Sequence, residues 1–149
     1  PAKEVTPEET AAYFKQYRKE KFVVDTYGGK DIKEAQGIRH SVEPGRTAQH
    51  HVGTHKNNKI FIDQKIKEKD GISILIPEKW HKYGNIHTAN QVPHENFRQA
   101  LFTSIKDMRK LPDRMHAGAL REEVRKDLNE ALLEALKKNK ELFPEQLKK

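Results

Sequence analysis

Apolar positions at the start of the chain predict one helix followed by a short strand. Tyr13 and Tyr17 recur at the helical spacing, with further apolar residues between and before them. Thr6 is placed to cap this helix, because Glu9 stands three residues after it, as in a capping box. The apolar run in residues 21–25 then predicts a strand, which the two glycines that follow would end.

Residues from about 31 to 92 lack a long helical period and are predicted to form loops and short strands. Residues 48–53 predict a short strand, while 59–63 fit either a strand or one turn of helix. The clearest strand is the apolar run 72–76, because Asp70-Gly71 is a turn signal directly before it.

Helical periodicity returns after this strand and dominates the last third of the chain. A helix that carries Trp80 and His81 is predicted from Glu78, directly after Pro77. A longer helix starts near residue 95 and a second one covers about 117–142, after which the tail is expected to fray. Their apolar faces are Phe97, Leu101, Ile105 and Met108 in the first helix, and Leu120, Val124, Leu128, Ala131, Leu132 and Leu136 in the second.

Together these elements predict a single α+β domain over residues 1–149. Two strands and the helix from Glu78 would form a small ββα module, flanked by an N-terminal helix and two C-terminal helices. The residues that could carry chemistry fall in a zone of about 39–94, and a helical scaffold covers about 95–143.

Composition limits the chemistry that this domain can carry. The chain has no cysteine, which excludes disulfides, thiolate metal sites and a thiol nucleophile. Its net charge of +7 and pI of about 9.5 favour an anionic partner such as nucleic acid. No apolar run is long enough to span a membrane. No phosphate-binding glycine loop or serine nucleophile elbow is present either.

Histidine is concentrated in the middle of the chain. Six of the eight histidines lie between residues 50 and 94: His50, His51, His55, His81, His87 and His94. Such a cluster in a chain without cysteine indicates metal binding or acid–base chemistry. Neighbouring side chains on a strand point to opposite faces, although a twisted strand can still bring both toward one centre.

The order of these motifs resembles a known enzyme superfamily. The tandem His50-His51 is followed by Asp70-Gly71, the apolar run 72–76, Pro77, His81 and finally His87. This string is similar to the His-Me finger (HNH) endonucleases. It is most similar to the toxin nuclease domains of bacterial polymorphic and contact-dependent systems, and to nuclease colicins. In that superfamily two strands and a helix fold over one divalent metal ion.

The resemblance implies a role for each matching position. His51 would be the general base that activates water, and Asp70 stands where the family often has the asparagine that orients this base. The metal ligands would be His50, His81 and His87, with Asn90 as the alternative to His87. Because His87 follows His81 by six residues, Tyr83-Gly84-Asn85 would have to interrupt the helix, and Gly84 permits that.

Phosphodiester hydrolysis suits this set of residues. Histidine can accept a proton near neutral pH, and one divalent cation can offset the charge that builds on the phosphate. Histidine ligands bind Zn²⁺ or Ni²⁺ tightly, and Mg²⁺ or Mn²⁺ remain open as the ion used in catalysis. Basic residues around the cluster are candidates for sequence-independent phosphate contacts: Arg39, Arg46, Lys56 and Lys82.

The resemblance further implies a bacterial effector domain that is secreted or delivered from the cell surface and acts in the cytoplasm of a target cell. Its substrate would be DNA rather than RNA. A toxin of this kind would need an immunity protein, expected to be acidic because it would cover a basic site.

Two other functions fit the same residues. One is a non-catalytic nucleic-acid-binding module in which a histidine-metal site is structural. The other is a metal-independent ribonuclease that uses two histidines as acid and base. The binding module is expected to bind nucleic acid without cleaving it. The ribonuclease is expected to cleave RNA even in the presence of a chelator.

Overall fold

The computed structural model describes residues 6–17, 22–40, 46–115 and 120–147. The helices are α1 (Pro7–Tyr17), α2 (Lys30–His40), α3 (His55–Phe61), α4 (Glu78–Tyr83), α5 (Phe97–Met108), α6 (Leu111–Arg114), α7 (Arg121–Leu142) and α8 (Pro144–Leu147). The strands are β1 (Val24–Thr26), β2 (Thr47–His51) and β3 (Ile72–Pro77). Two short 3₁₀ turns cover Glu68–Asp70 and Thr88–Asn90.

The three strands form one antiparallel sheet in the order β1-β3-β2. Residues opposite each other in an antiparallel pair project from the same face. His50 lies opposite Ile74 and His51 lies opposite Ser73, so these two histidines project from different faces of the sheet. With α4 directly after β3, the segment β2-β3-α4 is the predicted ββα module, and the α+β fold class is confirmed.

The central strand β3 is buried along its whole length because helices cover both of its faces. On one face Ile72, Ile74 and Ile76 join the main core, to which α7 contributes Leu128 among other residues. On the other face Leu75 packs with Ile32 and Ala35 of α2. A strand that is covered on both faces has apolar residues at consecutive positions, which is why the sequence predicts this strand more clearly than the others.

Local signals set the starts of the two helices that frame this core. The Thr6 hydroxyl accepts a hydrogen bond from the Glu9 backbone N–H at 3.1 Å, so the predicted capping threonine is confirmed. Asn96 caps α5 in the same way, accepting from the Gln99 N–H at 2.9 Å. The hydroxyl of Thr10 in α1 donates to the Met115 carbonyl, which ties the N-terminal helix to the C-terminal half.

Several elements differ from the sequence-based prediction. Residues 31–40, predicted to be loop, form most of α2. Among the described side chains of this helix, those of Ile32 and Ala35 are buried, which is too little to create a visible period. Residues 59–61 end α3, so the helical alternative for that segment is the one observed. The first strand covers Val24–Thr26, later than expected, and the tail forms the short helix α8.

Candidate metal centre

Three histidines from different parts of the ββα module meet at one point. His50 comes from β2, His81 from α4, and His87 from the connection after α4. Their ligand nitrogens all lie within 4.8 Å of one another. Tetrahedral imidazole ligands with bonds of about 2.1 Å would stand about 3.4 Å apart, so small side-chain rotations would bring all three onto one ion.

The three rings face each other edge to face rather than stacking. Ring centroids are 5.4 Å apart for His50 and His81, and 4.9 Å for each of the other two pairs. The interplanar angles are 64°, 84° and 88°. Converging rings at steep angles can direct one nitrogen each toward a common centre. Hereafter His50, His81 and His87 are called the histidine triad.

Burial keeps the triad in the form that can bind a metal. Burial lowers the pKa of His50 well below its ordinary value, and the charges of His87, His81 and His51 lower it further. Burial likewise lowers the pKa of His81 and of His87. Neutral imidazoles, with a free lone pair, are therefore favoured at neutral pH.

The Nε2 atom of His50 shows that the donor set fits a cation. It is buried and has no hydrogen-bond partner in the structure. An unpaired buried polar atom costs about 1–3 kcal/mol, and a metal ion at the triad would remove that penalty. Three protein ligands also leave one coordination position open, as in catalytic rather than structural zinc sites.

The chain turns sharply after α4, and this turn brings His87 back to His81. Asn85 adopts φ 53°, in the left-handed region that asparagine tolerates. Gly84 does not supply the positive φ, but a Cβ there would collide with the Trp80 carbonyl and with Leu111. Arg114 then donates to the carbonyls of Gly84 and Asn85 at 3.0 and 2.9 Å, which holds the turn in place.

A buried carboxylate behind the triad was missed by the sequence analysis. Asp107 of α5 is buried, and the Thr88 hydroxyl donates a hydrogen bond to it. Its negative charge acts on His87, where it opposes the lowering of the pKa by burial. Carboxylates beside metal-binding histidines orient the ring and strengthen its bond to the ion. A buried acid among the apolar residues of a helix face was the only available signal.

Replacing Asp107 with asparagine should therefore weaken metal binding by about 10–100-fold, because the amide keeps the hydrogen bond to Thr88 but removes the charge near His87. Titration calorimetry with Ni²⁺ or Zn²⁺ would measure the change. The matched control is Asp113→Asn, which neutralises a carboxylate in the exposed ion pairs with Arg121 and Arg125. Equal affinity in Asp107→Asn and the unmodified protein would contradict this role.

His51 lies outside the triad, in its own well-defined environment. Its ring stacks on Tyr27, with centroids 4.7 Å apart and an interplanar angle of 4°. Its Nε2 lies 2.8 Å from the Glu68 carbonyl oxygen, an acceptor, so this nitrogen carries the proton and Nδ1 is the free acceptor. Burial lowers the pKa of His51, and the contact with Glu68 opposes that effect.

Unpaired polar atoms from α3 and from β3 lie near His51. His55 Nδ1, both polar side-chain atoms of Asn58, and Ser73 Oγ are buried without hydrogen-bond partners in the structure. The His55 ring centroid is 5.6 Å from that of His51. A Cβ at Gly71 would meet both Asn58 and His51 at 2.8 Å, so this glycine allows the close approach. Asn58 was another residue to which the sequence analysis gave no role.

Asp70 is not placed against His51 in the structure. Its carboxylate accepts a hydrogen bond from the Lys67 backbone N–H at 3.2 Å, within its own 3₁₀ turn. The turn, rather than the Asp70 side chain, supplies the contact to His51, through the Glu68 carbonyl. Asn90, the alternative ligand, has a buried and unpaired Oδ1, and the ligand nitrogen of His87 lies within 4.8 Å of those of His50 and His81.

The four residues predicted to contact phosphates lie in different environments. Arg46 and Lys82 are exposed near the two ends of the module, and the Lys82 ammonium lies 5.2 Å from the Tyr83 ring centroid. Lys56 donates to the Asn90 carbonyl at 2.8 Å, so its charge already ties α3 to the turn after His87. Arg39 falls in the last turn of α2, and its side chain lies outside the described residues.

Comparisons with protein-family models, with curated proteins and with solved structures found no match. Within the described parts of the chain, no helix is both long and apolar enough to cross a bilayer.

Trp80, next to His81 in α4, is buried, and its ring centroid lies 5.9 Å from that of Phe22. The Trp80 side chain therefore packs in the core and is not exposed for stacking on a base.

Proposed function

We propose that this protein is a metal-dependent endonuclease that hydrolyses phosphodiester bonds, with DNA as the favoured substrate. The observation that carries the proposal is the histidine triad on a ββα module, with the Nε2 of His50 buried and unpaired. The resemblance of the motif string to His-Me finger nucleases agrees with this reading. The net charge of +7 suits a polyanionic substrate.

In this proposal the triad holds one divalent ion, of which Zn²⁺, Ni²⁺, Mn²⁺ and Mg²⁺ are candidates. A bound divalent ion would stabilise charge on the phosphate and on the leaving oxygen. Asp107 and Thr88 fix the orientation of the segment that carries His87. Arg114 holds the turn between the two ligands that follow β3, so the ligand geometry is set before substrate arrives.

His51 is the proposed general base. The Glu68 carbonyl holds the proton on Nε2, which leaves the Nδ1 lone pair to take a proton from the attacking water. The lowered pKa keeps this nitrogen unprotonated at neutral pH. His51 follows His50 directly, and its charge contributes to the low pKa of His50, so the base and the triad are within electrostatic reach of each other.

A bacterial toxin or effector acting in the cytoplasm of a target cell is the setting that the resemblance suggests. Under that proposal an acidic immunity protein would neutralise the basic domain in the producing cell. A non-catalytic nucleic-acid-binding module remains the alternative in which the triad is only structural.

One observation favours a second candidate activity. The rings of His51 and His55 are 5.6 Å apart, so the two histidines could serve as the base and acid of a metal-independent ribonuclease. That reaction would use the 2′-hydroxyl of RNA and would leave the triad without a catalytic role.

A cleavage assay separates these functions. The purified protein should nick plasmid DNA when Mg²⁺, Mn²⁺, Ni²⁺ or Zn²⁺ is present, and lose that activity in excess chelator. RNA cleavage that survives chelation would replace the proposal with the metal-independent ribonuclease. Binding of both nucleic acids without cleavage under any ion would instead leave the binding module.

A further inference from the structure

A basic face of α5 lies outside the proposed metal centre and is not used by it. Arg98, Phe102, Lys106 and Arg109 follow one another at intervals of four, four and three residues, which places them along one side of the helix and its end. All four are exposed, Phe102 by 43%. Hereafter these four residues are called the α5 stripe.

The α5 stripe lines a groove of about 600 Å³, together with neutral polar residues, Ile105 and His94. No carboxylate lines this groove among the described residues. Asp107, which follows Lys106 in sequence, is buried, and Glu95 lies before the first residue of the helix. Within the described part of the chain, none of the three cations forms an ion pair, so their charge is available to a ligand.

The single aromatic ring in the stripe has a specific arrangement. The Arg98 guanidinium carbon lies 5.7 Å from the Phe102 ring centroid. Both an exposed aromatic ring and a guanidinium group can stack on an unpaired base. The stripe spans twelve residues, from Arg98 to Arg109, and is about 16 Å long, which matches four to five nucleotide rises of about 3.4 Å per strand.

The groove is connected to the metal centre by a short segment. His87 precedes the 3₁₀ turn Thr88–Asn90, and that turn packs against α5. His94 lines the α5 groove and also a smaller groove of about 370 Å³ formed by α3 and this connection. His94 therefore lies between the α5 groove and the groove beside the connection that follows His87.

We propose that the α5 stripe is a binding track for single-stranded DNA, with Arg98, Lys106 and Arg109 on the phosphates and Phe102 stacking on a base. This inference rests on the proposed nucleic-acid substrate but not on cleavage. Nucleic acid is favoured over an acidic protein because cations recur along the helix with one exposed ring between them, while the apolar centre typical of a protein interface is small.

The test is binding measured by fluorescence anisotropy, with a labelled single-stranded DNA oligonucleotide and excess chelator so that no cleavage interferes. The triple variant Arg98→Gln, Lys106→Gln, Arg109→Gln should bind more weakly and lower the slope of log affinity against log salt by about 2. Phe102→Ala should weaken binding by about 5–150-fold with the salt slope unchanged.

The matched control is Lys126→Gln, Lys137→Gln, Lys140→Gln, which removes the same charge from the exposed face of α7. This control should keep nearly all of the affinity and the salt slope. Equal loss in both triple variants would overturn the proposal, since it would indicate attraction by net charge alone. Unchanged DNA binding in the α5 variants would also overturn it. The same conclusion would follow if these variants kept their affinity for DNA and lost affinity for an acidic protein.

The two proposals can fail separately. If the unmodified protein cleaves DNA while the α5 variants bind it normally, the proposed binding track is wrong and the proposed nuclease activity is supported. If the α5 variants lose DNA binding and no ion supports cleavage, the proposed binding track is supported and the proposed nuclease activity is wrong.

Discussion

Replacing His51 with alanine should slow DNA cleavage by about 10²–10⁴-fold while leaving the affinity for Ni²⁺ or Zn²⁺ nearly unchanged. The variant removes the Nδ1 acceptor that is held in place by the Glu68 carbonyl contact. It leaves the triad intact, because His51 projects from the other face of β2. Initial rates of plasmid nicking at saturating metal, with calorimetric metal titration of the same preparation, would measure both quantities.

The control variant for His51→Ala is His55→Ala, which removes a neighbouring histidine that has no proposed catalytic role in the metal-dependent nuclease. His55 is the nearest histidine ring to His51, but its Nδ1 has no hydrogen-bond partner that would fix its role as a base. A metal-dependent nuclease should lose far more activity in His51→Ala than in His55→Ala. Cleavage of RNA that resists chelator and is lost to a similar extent in the two variants would support the histidine-pair ribonuclease instead.

The central module could be predicted because its local signals agree with each other. Asp70-Gly71 before an apolar run, followed by Pro77, predicts a turn, a buried strand and a helix start, and β3 and α4 follow that order. The three ligands could be nominated because histidine is clustered in a chain without cysteine and because the motif string resembles the His-Me finger endonucleases. Their proximity depended on the turn at Asn85, which no periodic pattern encodes.

Other parts of the site depend on contacts between distant segments. Asp107 and Thr88 are 19 residues apart and meet only because the turn after His87 packs on α5. The contact to His51 comes from a backbone carbonyl, that of Glu68, and backbone contacts leave no trace in the identity of the residue. Sequence reasoning therefore placed that role on the Asp70 side chain, whose carboxylate turns back to Lys67.

The thermal stability of the protein should depend on divalent metal and on pH in a linked way. At a free Ni²⁺ or Zn²⁺ concentration of 100 times Kd, binding to the folded state alone adds about 2.7 kcal/mol, which raises Tm by about 5–10 °C. His81→Ala, which removes one triad ligand, should lose most of this increase. Scanning calorimetry with chelator or with metal would measure it, with His94→Ala as the matched loss of a histidine outside the triad.

The pH dependence follows from the lowered pKa values of the triad and of His51. Below the ordinary histidine pKa of about 6.5 the unfolded chain takes up protons that the folded chain does not, so metal-free stability falls as the pH drops. The Tm increase caused by metal depends only on the folded ligands, and should persist below pH 6.5 until their lowered pKa values are reached. A metal affinity that is already several-fold weaker near pH 6.5 than at pH 8 would show that the triad titrates as exposed histidine does. Burial would then not explain why the triad is ready to bind a cation.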